Sequence, residues 1–286
     1  MQAGYNNQDL KNYRIYSENR SFSMLKYQCD DDIEIKPHWH NSIEIIYVVT
    51  GTIIVQEELS SFTLKENDII YIASNHVHSF KISKDSHIIS LQISAIWIHE
   101  IIPKFLSYDI FLCSSTLMSL SKKTNYQHFI QQFLLLKDIF YSDNEVKEIG
   151  INGYIFLLIY LMGTYFQVSS KEVNDYKFKY QPRIKKISRF VNNHYQEDIK
   201  LDDLADELTV SPQYLSKIFK KYYRISFKDY LTKIRLEHAL YKMANSSLTL
   251  LEISQECGFP SQHAFIYTFK HYYQMTPSQY KKKFMI

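Results

Sequence analysis

Two sets of residues in this 286-residue chain have the types and the spacing to do chemistry. The first is His38-Trp39-His40 with Glu44 four positions later. On a strand, residues two and four apart share a face, so two imidazoles and a carboxylate can point together while Trp39 faces the opposite side. Such groups can hold a divalent ion or hydrogen-bond a polar ligand. A plainer alternative stands beside this one, in which Pro37 to Asn41 is only the turn that enters a strand. The second set is polar and basic and comes in two strings: Gln213, Tyr214, Ser216, Lys217, Lys220 and Lys221, then Gln262, His263, Ile266, Tyr267, Lys270 and His271. Amides, hydroxyls and ammonium groups so arranged suit contacts to base edges and phosphates of DNA. For each residue taken singly, a solvated side chain is the competing reading.

The elements that must carry the second set are written twice. Leu204, Ala205 and Leu208 lead through Thr209-Val210-Ser211 into Leu215, Ile218 and Phe219, and Ile253, Ser254 and Cys257 lead through Gly258-Phe259-Pro260 into Phe265 and Phe269. The copies lie 49 residues apart before the turn and 50 after it, as two helix-turn-helix modules with slightly different turns would. Ser211 is placed to cap the first recognition helix with Pro212 at its first position, and Ser261 and Gln262 occupy the matching places. Phe219-Lys220-Lys221-Tyr222-Tyr223 and Phe269-Lys270-His271-Tyr272-Tyr273 should end both helices alike, with Tyr230 and Tyr280 closing the modules. Between them, Leu236, Ala239, Leu240 and Met243 mark one face of a helix from Phe227 to Met243, which would fix the distance between two helices seated in successive major-groove segments. Lys220 and Lys221 are placed for phosphates.

Charge follows the same division. Residues 181–286 hold 17 Lys and Arg against 10 Asp and Glu, whereas residues 1–180 hold 16 against 20, so the basic half is the half with the paired helices. Hydrophobic content of 45% supports packed cores and excludes a disordered chain. The three cysteines, Cys29, Cys113 and Cys257, are far apart, which fits neither a disulfide framework nor a zinc finger and suits a reducing cytoplasm. The polar start of the chain does not read as a signal peptide. Residues 151–166 are apolar but shorter than the roughly 18–20 residues that a membrane span needs, so a buried or interface helix is expected and no membrane.

In the first half, short runs at 43–49, 52–56, 68–72 and 87–93 read as antiparallel strands. From Asn125 the period becomes helical, with Phe129, Phe133, Leu136 and Phe140 in one stripe and a second helix from about 145 to 166. That second helix is apolar nearly all round, which calls for burial on both sides and points to a homodimer through 125–166. Residues 171–181 read as a linker between a domain at 1–170 and another at 182–286.

Residues 182–286 resemble the twin helix-turn-helix domain of AraC/XylS transcriptional regulators. The resemblance rests on Gly258-Phe259, Phe265, Phe269-Lys270 and Thr276-Pro277-Ser278-Gln279-Tyr280. The family pattern has a glycine after each recognition helix where this chain has Arg224 and Gln274; a left-handed backbone there would cost on the order of 1 kcal/mol each. Tyr267 stands where many members carry an arginine, so the second helix loses a guanine reader. His38, His40, Glu44 and Gly51 reproduce the first motif of cupin barrels, and His78 falls where the second motif places its histidine, although Asn67, Ala73, Asn75 and Ile82 replace its glycine, proline, glycine and asparagine.

The resemblance implies an α+β chain of two domains: a cupin-like antiparallel β-barrel with a helical dimerisation segment, and an all-α tandem helix-turn-helix domain joined by a linker helix. It further implies a transcription regulator rather than an enzyme. His38, His40, Glu44 and His78 would line the site of a small effector, a sugar being the family-level guess. The partners would be double-stranded promoter DNA, a second copy of the chain and, for an activator, RNA polymerase. No cofactor is required. The same four residues would be the ligands if the barrel held iron, manganese, nickel or zinc, and a metal-dependent cupin enzyme fused to a DNA-binding domain is the alternative.

Overall fold

In the computed structural model, which describes residues 13–16, 21–57, 60–113, 120–168 and 181–285, the strand-rich half forms two antiparallel sheets. Its strands are β1 (Tyr13–Tyr16), β2 (Phe22–Gln28), β3 (Ile33–His38), β4 (Ser42–Thr50), β5 (Thr52–Glu57), β6 (Ser60–Lys65), β7 (Ile69–Ile72), β8 (His78–Ile82) and β9 (His87–Ser94). One sheet has five strands in the order β1-β2-β9-β4-β7 and the other four in the order β3-β8-β5-β6. The expected closed cupin-like barrel is therefore corrected to two open sheets: among the described residues no strand pairs with members of both. An edge that closure would need is taken elsewhere. Beyond β7, the Tyr71 N–H donates to the Leu112 carbonyl at 2.9 Å and Ile70 bridges Cys113.

The chain changes sheet between β4 and β5 with one residue, Gly51. Its φ is +83°, and a Cβ there would collide with Ser86, 2.7 Å from its Cα. Inward side chains of the two sheets, among them Leu25, Ile46, Val48, Ile72 and Ile88 from one and Ile35, Val55, Leu64, Phe80 and Ile82 from the other, form one buried cluster. Burial of side chains of this size contributes roughly 1.5–3 kcal/mol each. β4 is buried on both faces, which is why it reads as a continuous apolar run rather than an alternating one. Its outer face meets α2 (Leu120–Phe140), where the predicted stripe Phe129, Phe133, Leu136 and Phe140 is fully buried and Phe133 packs against Tyr47 with ring centroids 5.8 Å apart. α1 (Ala95–Ile101), a 3-10 turn at Phe105–Ser107 and α3 (Lys147–Tyr165) are further helical segments among the described residues of this half. No described helix is long and apolar enough to cross a membrane.

By contact density the chain divides into two compact units, Gly4–Tyr180 and Gln181–Ile286. The expected linker at 171–181 lies outside the described residues except for its last. The second unit comprises α4 (Gln181–His194), α5 (Leu201–Glu207), α6 (Pro212–Ile218), α7 (Phe227–Asn245), α8 (Leu250–Glu256), α9 (Gln262–Tyr273) and α10 (Pro277–Phe284). Local chemistry sets these boundaries. Ser226, Thr249 and Thr276 each form a reciprocal capping box, with Asp229, Glu252 and Gln279 respectively. Ser211 and Ser261 accept from the N–H groups of Tyr214 and Ala264 at 3.2 and 3.1 Å.

Candidate functional site

The inward positions of the sandwich change character at one end. Along β4, β5, β8 and β9 they run apolar through Ile46 and Val48, Val55, Phe80 and Ile88, then become Glu44, Glu57, His78, and Ser90 with Gln92, all buried. A register shift in β3 between Ile35 and His38 brings His38 opposite His78, and the segment that follows adds His40. The structure thus brings together all four of the expected residues. The imidazoles of His38 and His78 have centroids 4.3 Å apart, those of His40 and His78 5.0 Å. Glu44, 0% exposed, lies at the centre: its Oε2 is 3.1 Å from His40 Nε2 and 3.2 Å from His78 Nε2, and its Oε1 accepts from Ser90 Oγ and, at 3.4 Å, from Gln92 Nε2.

Each histidine is held by its other ring nitrogen. Nδ1 of His38, His40 and His78 meets the carbonyls of Lys36, Ser42 and His76 at 3.0, 3.0 and 2.9 Å. A carbonyl can only accept, so Nδ1 of each ring carries a proton, and Nε2 is the nitrogen turned into the cluster. Nε2 of His78 is buried without a hydrogen-bond partner, because its approach to Glu44 is out of line for one. Burial works against the Glu44 charge, but the imidazoles of His40 and His78 outweigh it and hold the carboxyl well below its usual range. Burial, and then His78, pushes His38 down to about 4.

The ligand nitrogens of His38, His40 and His78 lie within 4.8 Å of one another, so the cluster could coordinate a metal. Imidazoles fixed through Nδ1, beside an ionised carboxylate, fit such an ion. They equally suit hydroxyl groups of a polar ligand, to which the anionic Glu44 and the amide of Gln92 offer an acceptor and a donor.

The two asparagines that stand where the cupin pattern has glycine adopt the backbone glycine would. Asn67 and Asn75 have φ of 66° and 62°. Asparagine tolerates this region better than other side chains, so these departures preserve the turns. Asn75 also steadies the site, with its N–H on the His40 carbonyl at 2.8 Å and its amide on Asn41 at 2.9 Å. Ser90, Gln92, Glu57 and His76 escape a reading based on motif spacing. Their signal is parity: each of Ser90, Gln92 and Glu57 continues an inward-facing alternation in which the other members are aliphatic.

On the helical unit, Gln213, Lys217, Lys220, Lys221, His263, Lys270 and His271 are exposed, and Tyr267 is 77% exposed. Tyr214, Ser216 and Gln262 are half-buried, and Ile266 packs partly against the core formed by Ile253, Phe265 and Phe269. Leu215, Ile218 and Phe219 are buried, as the repeat requires. The helix ends resolve the question set by Arg224 and Gln274, which are left-handed with φ of 57° and 59°. The two helices nevertheless do not end alike. α6 widens into a π-helical turn at Phe219–Tyr223, which carries Lys220 and Lys221, whereas α9 runs as α-helix to Tyr273.

A family model described as a helix-turn-helix domain matches residues 204–283, and one described as an AraC-like ligand binding domain matches residues 23–159. The Msm operon regulatory protein of Streptococcus mutans is 31% identical over 139 residues, 48% of this chain and 49% of that protein. Regulatory protein PocR of Salmonella typhimurium is 32% identical over 101 residues, 35% of this chain and 33% of that protein. The chain thus spans half or less of these curated relatives. A structure of unsaturated fatty acid bound ToxT from Vibrio cholerae covers 95% of this chain and 98% of its own at 18% identity, with a TM-score of 0.46. Both of these relatives are named as regulatory proteins. With one model on each unit, the chain is an AraC/XylS-family-like regulator, composed of an AraC-binding sensor domain and a C-terminal helix-turn-helix domain.

Proposed function

We propose that the chain is a ligand-responsive, sequence-specific regulator that binds promoter DNA through α6 and α9 and a small molecule through the polar end of the sandwich. The carrying observation is the pair of capped helices with exposed polar faces on the basic unit. Gln213, Tyr214, Ser216 and Lys217 read bases from the first helix, with Lys220 and Lys221 on phosphates. In the second, Gln262, His263, Ile266 and Tyr267 supply shape and thymine-methyl contacts, with Lys270 and His271 behind them. The active form is a homodimer, and RNA polymerase is a partner if the chain activates. The test is enrichment of a specific duplex from a random-sequence pool by the full chain. Binding should weaken steeply with salt, and no enrichment even at low salt sinks the reading.

The effector reading gives His38, His40, Glu44 and His78 to a polar molecule such as a sugar, with Ser90 and Gln92 beside them. A second reading, that the site takes a divalent transition metal, is favoured by the buried Nε2 of His78 and by the three Nδ1 atoms committed to carbonyls. Calorimetric titration of the chelator-treated chain with zinc, nickel and manganese separates the two. Stoichiometric binding that His78→Ala abolishes supports metal. No binding, together with a thermal shift by a sugar, supports the effector.

A further inference from the structure

Two recognition helices read two DNA segments together only if something holds them at one separation and phase. α7 is one such strut, but the modules also touch directly. The turn Tyr195–Glu197, between α4 and α5 of the first module, is gripped by α7. Arg235 donates from Nε to the Tyr195 carbonyl and from Nη2 to the Glu197 carbonyl, each at 2.7 Å. One helical turn on, His238 stacks on the Tyr195 ring, with centroids 3.7 Å apart and planes 12° from parallel.

The second module sits on the same turn. Gly258 follows α8, and a Cβ there would lie 2.7 Å from the carbonyl oxygens of both Tyr195 and Gln196. Its φ is +73°, but that alone does not demand glycine, because Thr209 holds the equivalent place in the first module with φ of 53° and an exposed side chain. What differs is the surroundings: Gly258 has another module's carbonyls against it, whereas the Thr209 side chain is exposed. Lys242 Nζ pairs with Glu256 Oε2 at 2.6 Å and ties α7 to α8 beside this contact.

We infer that Arg235 and Gly258 are positioning residues that lock the spacing of α6 and α9, so that the chain accepts its two DNA segments at one separation only. The inference rests on the DNA-binding reading above. Neither residue needs to touch DNA. Arg235 fixes the turn between α4 and α5 through its two carbonyls, and the bare backbone of Gly258 lets the second module close onto it.

The test uses the full chain and a duplex enriched from a random pool by the wild type, together with copies in which one or two base pairs are inserted between its two protected segments. Each inserted base pair moves the second segment by about 3.4 Å and about 34° around the helix axis. The wild type should lose about tenfold or more in affinity for the two-base-pair insertion, the scale of a lost base contact. Arg235→Ala and Gly258→Ala should bind the original duplex about tenfold more weakly yet lose less than about threefold on insertion, because the second module now adapts. Their salt slopes should stay at the wild-type value, since phosphate contacts are intact.

Thr209→Ala, at the matched position, should keep wild-type spacing discrimination. Gly258→Asn, whose side chain tolerates the left-handed backbone as Asn67 and Asn75 do, should behave like Gly258→Ala and so separates close approach from backbone strain. Arg235→Lys retains one donor and should discriminate to an intermediate degree; if the alanine variants melt below the assay temperature, it decides. Wild-type discrimination in the Arg235 and Gly258 variants, or an equal loss at every spacing, overturns the lock while leaving DNA binding in place. Failure of the wild type to enrich any duplex overturns DNA binding and the lock with it.

Discussion

Lys217 and Lys221 are both exposed and only four residues apart, yet the backbone that carries them differs. Lys217 lies within regular α-helix whose cap is Ser211 and whose inner side is Leu215 and Ile218, so its side chain points away from the core. Lys221 sits in the π-helical turn, at the end of the element. Lys217→Ala should relax preference at one operator position and cost ~1–3 kcal/mol there. Lys221→Ala should weaken binding to all sequences alike and lower the salt slope by about one unit. Measuring both variants on enriched and scrambled duplexes checks the assignment, which fails if Lys217→Ala leaves the ratio of the two affinities unchanged. At this scale the sequence was most legible where one residue type performs one local task. Ser211 and Ser261 as caps follow from their hydroxyls, and the convergence of His38, His40, Glu44 and His78 follows from strand period and motif. Ser90 and Gln92 were not legible, because a polar residue facing inward is meaningful only once its strand's neighbours are known.

Among elements, strands and helices were readable from period, but their partners were not. The runs predicted at 43–49, 52–56, 68–72 and 87–93 are β4, β5, β7 and β9, while β2, β3, β6 and β8 carry weaker apolar patterns and went unassigned. The barrel expectation failed for a related reason: alternation states which face is buried and not which edge finds a partner. Gly51 is the hinge of the observed topology. Gly51→Ala would force a left-handed alanine into Ser86, whose Oγ accepts from the Thr52 N–H at 3.1 Å and donates to its carbonyl. Strain of this kind costs about 1–3 kcal/mol, with the collision added to it. A urea unfolding midpoint that falls for Gly51→Ala, while the enriched duplex is still bound at low urea, is the expected result. An unchanged midpoint would show that the two sheets do not depend on this crossing. The tandem repeat shows the opposite case, in which an insertion was legible from counting alone. Helix starts Leu201 and Leu250 keep the offset of 49, caps Ser211 and Ser261 the offset of 50, and the added residue lies where Phe259-Pro260 replaces Val210.

For the whole molecule, the open question is how many copies act together, and α3 bears on it. Its buried side, including Ile151, Ile155, Leu158, Ile159 and Met162, packs within its own chain. The other side is also apolar: Ile149 is 75% exposed, Phe156 42% and Tyr160 60%, and Gly153 between them has open space where a Cβ would be. The spacing of 149, 153, 156 and 160 repeats the four-three-four pattern that keeps one stripe on one side of a helix. Such a stripe suits a neighbouring helix, with Gly153 allowing close approach, and the stripe of a second copy is self-complementary under twofold symmetry. Two copies so joined would offer four recognition helices to one stretch of DNA, and the affinity of each pair would be raised by the tether to the other. The full chain should therefore scatter light as a dimer. The double variant Ile149→Glu, Tyr160→Glu should be monomeric with its melting temperature nearly unchanged, because both side chains are exposed within one copy. It should also bind the enriched duplex more weakly and with a smaller salt slope, since each bound particle then neutralises fewer phosphates. A wild-type monomer at high micromolar concentration, or a double variant that remains dimeric, would remove α3 as the contact.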